Sequence, residues 1–502
     1  MSTSTTEHDG RDEETPLLRP SSPDGKTTKK RTPLPMGQMT ILLLLQLAEP
    51  ITSQCILPFI NQLIGELDIT GGDETKVGYY AGLIESLFFV AEAITVLQWS
   101  RLSDHVGRKP ILLIGTFGMI ISMVSFGLSR TFWTLVISRC ICGALNGNIG
   151  VMKSMVADIT DETNLSQALS LMPVTWAVGS TIGPLMGGQL SRPATRFPEI
   201  FGSPFWRQYP YFLPCGVAAA FTTLSLVLAA FFLKESLPKD TSSTHPPSSD
   251  ALRSQAVMDL AEGATLEHTD PSYPVSSSDS REKPLPLRAL LTAPVVLSVS
   301  NYATLALLDI ALFALMPLFM STHIEHGGLG LPPSTIGLCL GIFGLSNGVF
   351  QALFFTRIVD YWGPKLVFMA AMSSFIPIFA LFPVTNTLAR AFGLSTPVWI
   401  GVAAQFTVMI LMDMAYGCVF VFILSSAPNK RSLGATNGLA QTVISVQRAI
   451  GPVMSTSLFA LSVEKNIMGG HGVYFFLIVL CCLSLILAAK LPRRAWNAKT
   501  EE

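Results

Sequence analysis

The chain has 502 residues, of which 49% are hydrophobic and only 13% charged, and its formal net charge is −1. Soluble domains carry about 25% charged residues, so half the usual charge is missing and nothing in the balance suits a nucleic-acid partner. The seven histidines and eight cysteines follow no zinc or redox spacing, so neither a metal nor a cofactor is expected.

Residues 1–35 are polar and rich in Pro and Ser, with no cleavable leader, and are expected to form a disordered cytosolic tail. Within it, Glu13-Glu14-Thr15-Pro16-Leu17-Leu18 fits the acidic dileucine pattern that sorting adaptors read. Apolar segments then fall at 38–63, 77–99, 110–128, 133–157, 165–190 and 210–233. They resume at 294–322, 334–356, 366–384, 397–424, 434–461 and 472–490. A crossing helix needs about 20 apolar residues, so the expected fold is an all-α integral membrane protein. Its twelve transmembrane helices would form two pseudo-symmetric six-helix halves, 36–233 and 287–490. The stretch 234–286, rich in Ser, Pro, Thr and acids, reads as a disordered cytosolic linker, and 491–502 as a cytosolic tail. Lys/Arg bias in the short loops puts both termini in the cytosol. The segment 191–209, with Arg192, Arg196 and Arg207, runs against that bias.

Charges recur inside the predicted spans, where they are expensive and usually functional. Glu49 lies about 16 Å into the first segment at 1.5 Å per residue, close to the midplane. Glu85 and Glu92 lie two turns apart on one face of the second. Arg139, in the fourth, matches Glu85 in depth and is its expected partner, with Glu92 as a second protonation step. Asp309 and Asp413 lie in the seventh and tenth. A carboxylate lodged in hydrocarbon can exchange protons, as a proton-coupled carrier requires. Lys153 lies near the cytosolic end of its segment, where it can snorkel to the interface. Gln46, Asn146, Asn301, Asn347, Gln351 and Gln441 are candidate cavity residues or interhelical glue. Trp176, Tyr302 and Phe343 read as packing or lipid-facing aromatics.

Between the second and third segments stands Arg101-Leu-Ser-Asp104-His-Val-Gly107-Arg108-Lys109. A degraded copy, Arg357-Ile-Val-Asp360-Tyr-Trp-Gly363-Pro-Lys365, recurs 256 positions later. An elaborate loop repeated between membrane-length helices implies duplicated halves, the architecture of secondary transporters. In the fifth segment, Gly179, Gly183 and Gly187 are four apart, a flat ridge for close approach of another helix. Pro184 and Gly188 complete the string, and Gly451-Pro452 is a weaker counterpart.

These strings resemble signatures of the major facilitator superfamily, of the twelve-span drug:proton antiporter type. The loop at 100–110 is similar to G-x-x-x-D-x-x-G-R-K, with Ser100 replacing the first glycine. The resemblance implies a conformational latch formed by Arg101, Asp104, Gly107, Arg108 and Lys109, echoed by Asp360, Gly363 and Lys365. Asp104 is expected to accept from a neighbouring helix N-terminus and from Arg108. Gly179 to Gly188 fits the antiporter string G-x-x-x-G-P-x-x-G-G, and Arg139-Cys-Ile-Cys-Gly143 resembles R-x-x-x-G. Leu57-Pro-Phe-Ile60 and the stretch from Arg192 to Cys215 resemble the zinc-induced-facilitator-like branch and its fungal relatives. The implied function is proton-coupled antiport, exporting or sequestering a small organic molecule or drug by alternating access, in the vacuolar or plasma membrane. A uniporter or other small-solute carrier, and a non-transporting membrane sensor of the same fold, are the alternatives. The expected partners are substrate, protons, lipid and a sorting adaptor at Glu13, Leu17 and Leu18, for a protein that is monomeric and not an enzyme.

Overall fold

The computed structural model describes residues 32–161, 164–236, 291–428 and 433–492, and among them every regular element is helical. The dileucine pattern at Glu13, Leu17 and Leu18, nearly all of the predicted linker and most of the C-terminal tail lie outside the described residues. The first half holds α1 (Met36–Cys55), α2 (Val77–Val106), α3 (Arg108–Gly127), α4 (Phe132–Leu145), α5 (Asn148–Ile159), α6 (Leu165–Leu190) and α7 (Phe212–Phe232). The second holds α8 (Ala293–Ser321), α9 (Pro333–Trp362), α10 (Pro364–Ser373), α11 (Phe375–Phe392), α12 (Thr396–Met412), α13 (Met414–Ser426), α14 (Leu433–Glu464) and α15 (Gly472–Ala489). Helix is what an apolar chain of this length must adopt in lipid, because only there is every backbone group satisfied within the segment. Nine spans among the described residues are long and apolar enough to cross a membrane, with α4–α5, α10–α11 and α12–α13 each running on as one.

The duplicated loop is a duplicated backbone. Helix α2 is 30 residues long and stops at Gly107 (φ 112°, ψ 156°), after which α3 starts at once. Helix α9 is also 30 residues long and stops at Gly363 (φ 78°, ψ 153°), after which α10 starts at once. That region of backbone space is open essentially to glycine alone, so each abrupt reversal between long helices needs its glycine.

Two seams join the halves, α6 against α9 and α2 against α14. Both are lined by glycines. A Cβ on Gly82 would fall 2.8 Å from the Pro452 carbonyl oxygen, and one on Gly188 would fall 2.4 Å from that of Pro333. Hydrogen bonds cross the seams from the Ser86 hydroxyl, which accepts from the Val453 amide (3.0 Å), and from the Gln189 side chain to the Ser334 carbonyl (3.0 Å). The Tyr79 hydroxyl donates to Glu464 at 3.3 Å. These contacts lie at the end of the bundle opposite Gly107 and Gly363.

The arginine-rich segment that broke the charge bias is held locally. The Arg192 guanidinium and the Tyr211 hydroxyl (2.7 Å) both donate to Glu66, in the connection between α1 and α2. Burial, then the Glu66 charge, push the Tyr211 phenol well above its ordinary range. Arg196 donates to the Gln189 carbonyl (2.8 Å) at the end of α6, where a helix C-terminus favours a cation.

Candidate functional site

The fourth rod is interrupted between α4 and α5, where Asn146 (φ −82°, ψ 72°) leaves helical geometry. The break frees the Ala144 carbonyl, which the Trp99 indole of α2 satisfies at 2.7 Å. Gly147 makes room, since a Cβ there would meet Trp99 Cβ at 2.3 Å. At this interruption the Asn146 amide donates to Glu49 Oε1 of α1 (3.2 Å) and to Glu92 Oε1 of α2 (3.3 Å). One neutral amide therefore holds two half-buried acids from two helices.

Arg139 lies almost two turns earlier and is 8% exposed. Its guanidinium carbon stands 4.6 Å from the Phe88 ring centroid, a cation–π distance, and its Nε has no hydrogen-bond partner. Gly143 sets this geometry, because a Cβ there would fall 2.2 Å from the Phe88 carbonyl oxygen, so α4 presses against α2. Glu85 and Arg139 attract one another. Among the described residues, however, they make no ion pair within 4.0 Å, and the expected contact pair is replaced by the guanidinium lying over Phe88. Lys153 does not snorkel: it is 7% exposed and enclosed by protein.

The second half carries its own cluster, midway along its fourth rod, where Asp413 keeps helical geometry (φ −60°, ψ −20°). Asp413 forms the α12–α13 junction and accepts from the Asn347 amide of α9 at 2.5 Å. Gln351 donates to the Ile410 carbonyl (3.1 Å) one turn away. Asp309 of α8 accepts from the Tyr416 hydroxyl at 2.6 Å. Arg448 of α14 attracts Asp309, and Asp413 repels it. Sequence reasoning missed Tyr416 and Arg448, although Arg448 stands three residues before the Gly451-Pro452 string it did single out. Tyr302 and Phe343 are packing residues, 2% and 6% exposed, whereas Trp176 is 43% exposed.

The glycine ridge of α6 meets α1. A Cβ on Gly179, Gly183 or Gly187 would fall 2.4 Å from Pro50 Cγ, 2.9 Å from Gln54 Cβ and 1.9 Å from the Cys55 carbonyl oxygen. Pro184 lies inside α6 without ending it. The string Gly344-Leu-Ser-Asn-Gly348 matches the G-x-S-x-G pattern of serine hydrolases. It sits mid-helix in α9, with both glycines against α6, rather than on the strand-to-helix turn such chemistry needs.

At the loop end, the acceptor on the α3 N-terminus is Glu235, just after α7. Its carboxylate takes the Arg108 amide (2.8 Å) and the Lys109 amide (3.0 Å). Sequence reading gave an N-terminal role of this kind to Asp104, whose side chain is outside the described set. Arg108 pairs with Asp158 (3.4 Å) and donates to the Ser103 hydroxyl (2.9 Å). Arg101 and Asp360 are exposed. The Lys109 ammonium donates to the Ala230 carbonyl (2.8 Å) at the end of α7, and that of Lys365 to the Ala489 carbonyl (2.9 Å) at the end of α15. The repeated lysine thus ties the same pair of helix ends in each half, where the dipole favours it.

Residues 42–452 match the family model described as Major Facilitator Superfamily. The chain is 32% identical over 480 residues to "Major facilitator-type transporter psiT2" of Psilocybe cyanescens, covering 91% of this chain and 90% of that one. It is 29% identical over 454 residues to "Protein ZINC INDUCED FACILITATOR 1" of Arabidopsis thaliana, covering 89% and 90%. Among solved structures, a D-xylose-proton symporter superposes with a TM-score of 0.64 at 16% identity, over 91% of this chain and 98% of that one. The chain belongs to the Major Facilitator Superfamily and is a multi-pass membrane transporter.

Proposed function

We propose that this member of the superfamily is a proton-coupled antiporter that exports or sequesters a small organic molecule by alternating access. The observation that carries the reading is the Asn146 amide shared between Glu49 and Glu92 at the helix break. The amide offers two hydrogens, one to each carboxylate. A proton on either acid makes it a weaker, uncharged acceptor and adds an O–H donor, which loosens the anchor shared by α1, α2 and α4. A proton thereby favours one arrangement of these helices over another, which is all that population shift requires. Arg139, held off its carboxylates by Phe88, and Glu85 form the adjoining half of the same relay.

The rigid parts are the seams, and the moving parts are the two six-helix bodies. Twelve spans with both termini in the cytosol put the Gly107 and Gly363 loops inside the cell. The seams close the opposite face, which supports reading this arrangement as an inward-facing state. Glu235, Lys109 and Lys365 tie the loop ends of each half into units that move whole. Either the vacuolar or the plasma membrane suits this arrangement.

The test uses acid-loaded proteoliposomes of the full chain with a lumenal pH dye. Addition of a transported solute raises lumenal pH, and Asn146→Ala and Arg139→Ala lower the gradient-driven rate at least about tenfold with the protein still monodisperse. Uptake at one rate with and without a gradient replaces antiport by uniport.

A further inference from the structure

Where α3 turns into α4, a group of hydroxyls faces lipid and plays no part in transport as described above. Ser125, Ser129, Thr134 and Ser138, with Leu128, Ile137 and Ile141, line a surface cavity of about 270 Å³. It lies at the end of the bundle opposite Gly107, and Ile137 is 56% exposed there. Ile121 and Phe117 stand one and two turns below Ser125 on the same face of α3, both exposed, so an apolar track runs from the hydroxyls toward the midplane. Trp133, 65% exposed, and Arg130, 6.0 Å from the Tyr209 ring centroid, mark the hydroxyl level as the membrane–water interface, where aromatic side chains gather. Ser129, Thr134 and Ser138 give their hydrogens to the carbonyls of Ser125 (2.7 Å), Thr131 (2.7 Å) and Leu135 (2.8 Å). What they turn to the cavity is lone pairs, which accept. The exposed Ser125 hydroxyl has no hydrogen-bond partner among the described residues, and a bare hydroxyl at the edge of hydrocarbon is costly.

We propose that this trough binds a membrane sterol, whose hydroxyl donates to Ser125 at the interface while its rings lie along α3 and α4 over Ile121, Ile137 and Ile141. The lining selects a neutral donor: it contains no lysine or arginine for a phosphate and no carboxylate for an ammonium. The cavity is smaller than the about 300–1,000 Å³ of ordinary small-ligand pockets, so it houses the hydroxyl-bearing end alone. The rest of the molecule follows the track from Ser125 to Phe117, about 12 Å at 1.5 Å per residue. Isoleucines are stiff at χ1 and offer a fixed surface to a rigid ring system, whereas an acyl chain loses more freedom on settling there. The sterol is a lipid partner, whatever the carrier's cargo or coupling.

The probe is radiolabelled cholesterol, bound to the purified full chain in detergent, with cholesteryl methyl ether as the same molecule without its donor. Wild type binds cholesterol saturably, and the ether competes about fivefold more weakly, the worth of one hydrogen bond. Ser125→Val weakens cholesterol binding to the level of the ether and leaves the ether unaffected. Ile137→Trp fills the trough and removes binding of both, whereas Ile486→Trp, on the exposed face of α15, changes neither. Sterol also raises the melting temperature of wild type by mass action and not that of Ile137→Trp. The proposal is overturned if cholesterol does not bind saturably, if the ether competes equally, or if Ser125→Val keeps the wild-type preference for cholesterol over the ether. It is overturned too if Ile137→Trp binds cholesterol as wild type does, or if phosphatidylglycerol displaces the label as well as cholesterol itself. Should a variant aggregate, the wild-type discrimination between cholesterol and its ether decides alone.

Discussion

Replacing Gly187 by Ala tests the ridge on which α1 and α6 meet. The added methyl would stand 1.9 Å from the Cys55 carbonyl oxygen, while ordinary contact begins near 3.4 Å. The helices must therefore part by about 1.5 Å or tilt, and neither neighbour is a flexible side chain that could swing away. Overpacking of this kind costs about 1–3 kcal/mol. Gly216, in α7, is the control: its nearest neighbour would be Phe212 at 3.6 Å, and alanine there gains about 0.5–1 kcal/mol of helix stability. The two substitutions are chemically identical and have opposite expected signs. At about 2–4 °C per kcal/mol for a body of about 200 residues, thermal melting in detergent resolves them. Gly187→Ala melts below wild type, and Gly216→Ala melts at or above it. If Gly187→Ala matches or exceeds Gly216→Ala, the close α1–α6 approach is refuted.

Glu235→Gln keeps an acceptor at the α3 N-terminus but removes its charge, which is worth about 0.3–1 kcal/mol there; hydrogen exchange at the Arg108 and Lys109 amides quickens about two- to fivefold, and unchanged exchange rejects the cap. His471 begins α15, and burial, then Arg390, hold its imidazole below the usual range. A depressed pKa means stability that is present above the ordinary histidine value and lost as pH falls through the lower one. Melting temperature therefore drops on acidification from about pH 7.5 to 5.5, and the drop shrinks in His471→Gln; an equal drop in both assigns the acid sensitivity elsewhere. Tyr79→Phe deletes the hydrogen bond to Glu464 across the α2–α14 seam, so a cysteine at an exposed seam-end site labels faster, and an unaltered rate shows that the glycine packing alone keeps that end shut.

Much of this was readable beforehand because lipid simplifies the problem. Where water is absent, apolar length alone specifies helices, and the twin Gly107 and Gly363 loops betray the duplication since only glycine allows that reversal. Glycines four apart announce a ridge, although nothing in their spacing says that α1 is what lies on it. Partners were harder. Depth matching paired Glu85 with Arg139 because it counts distance along each helix and ignores how near the helices come. Gly143 brings α4 so close to α2 that the guanidinium meets Phe88 first. The carboxylate on the α3 N-terminus belongs to Glu235, over a hundred positions away, and no local pattern points there; the role expected of Asp104 concerns a side chain outside the described set.

Each half carries a polar residue midway along its fourth rod, Asn146 at a break in one and Asp413 at a helical junction in the other, and the hydrogen-bond roles there are inverted. In the first, an amide on the fourth rod donates to acids on the first and second rods of that half. In the second, an acid on the fourth rod receives from an amide on the second rod, Asn347, while Tyr416 one turn on reaches the acid of the first rod, Asp309. A duplicated fold fixes where unsatisfied backbone and buried polarity can be tolerated, but it leaves open which partner donates.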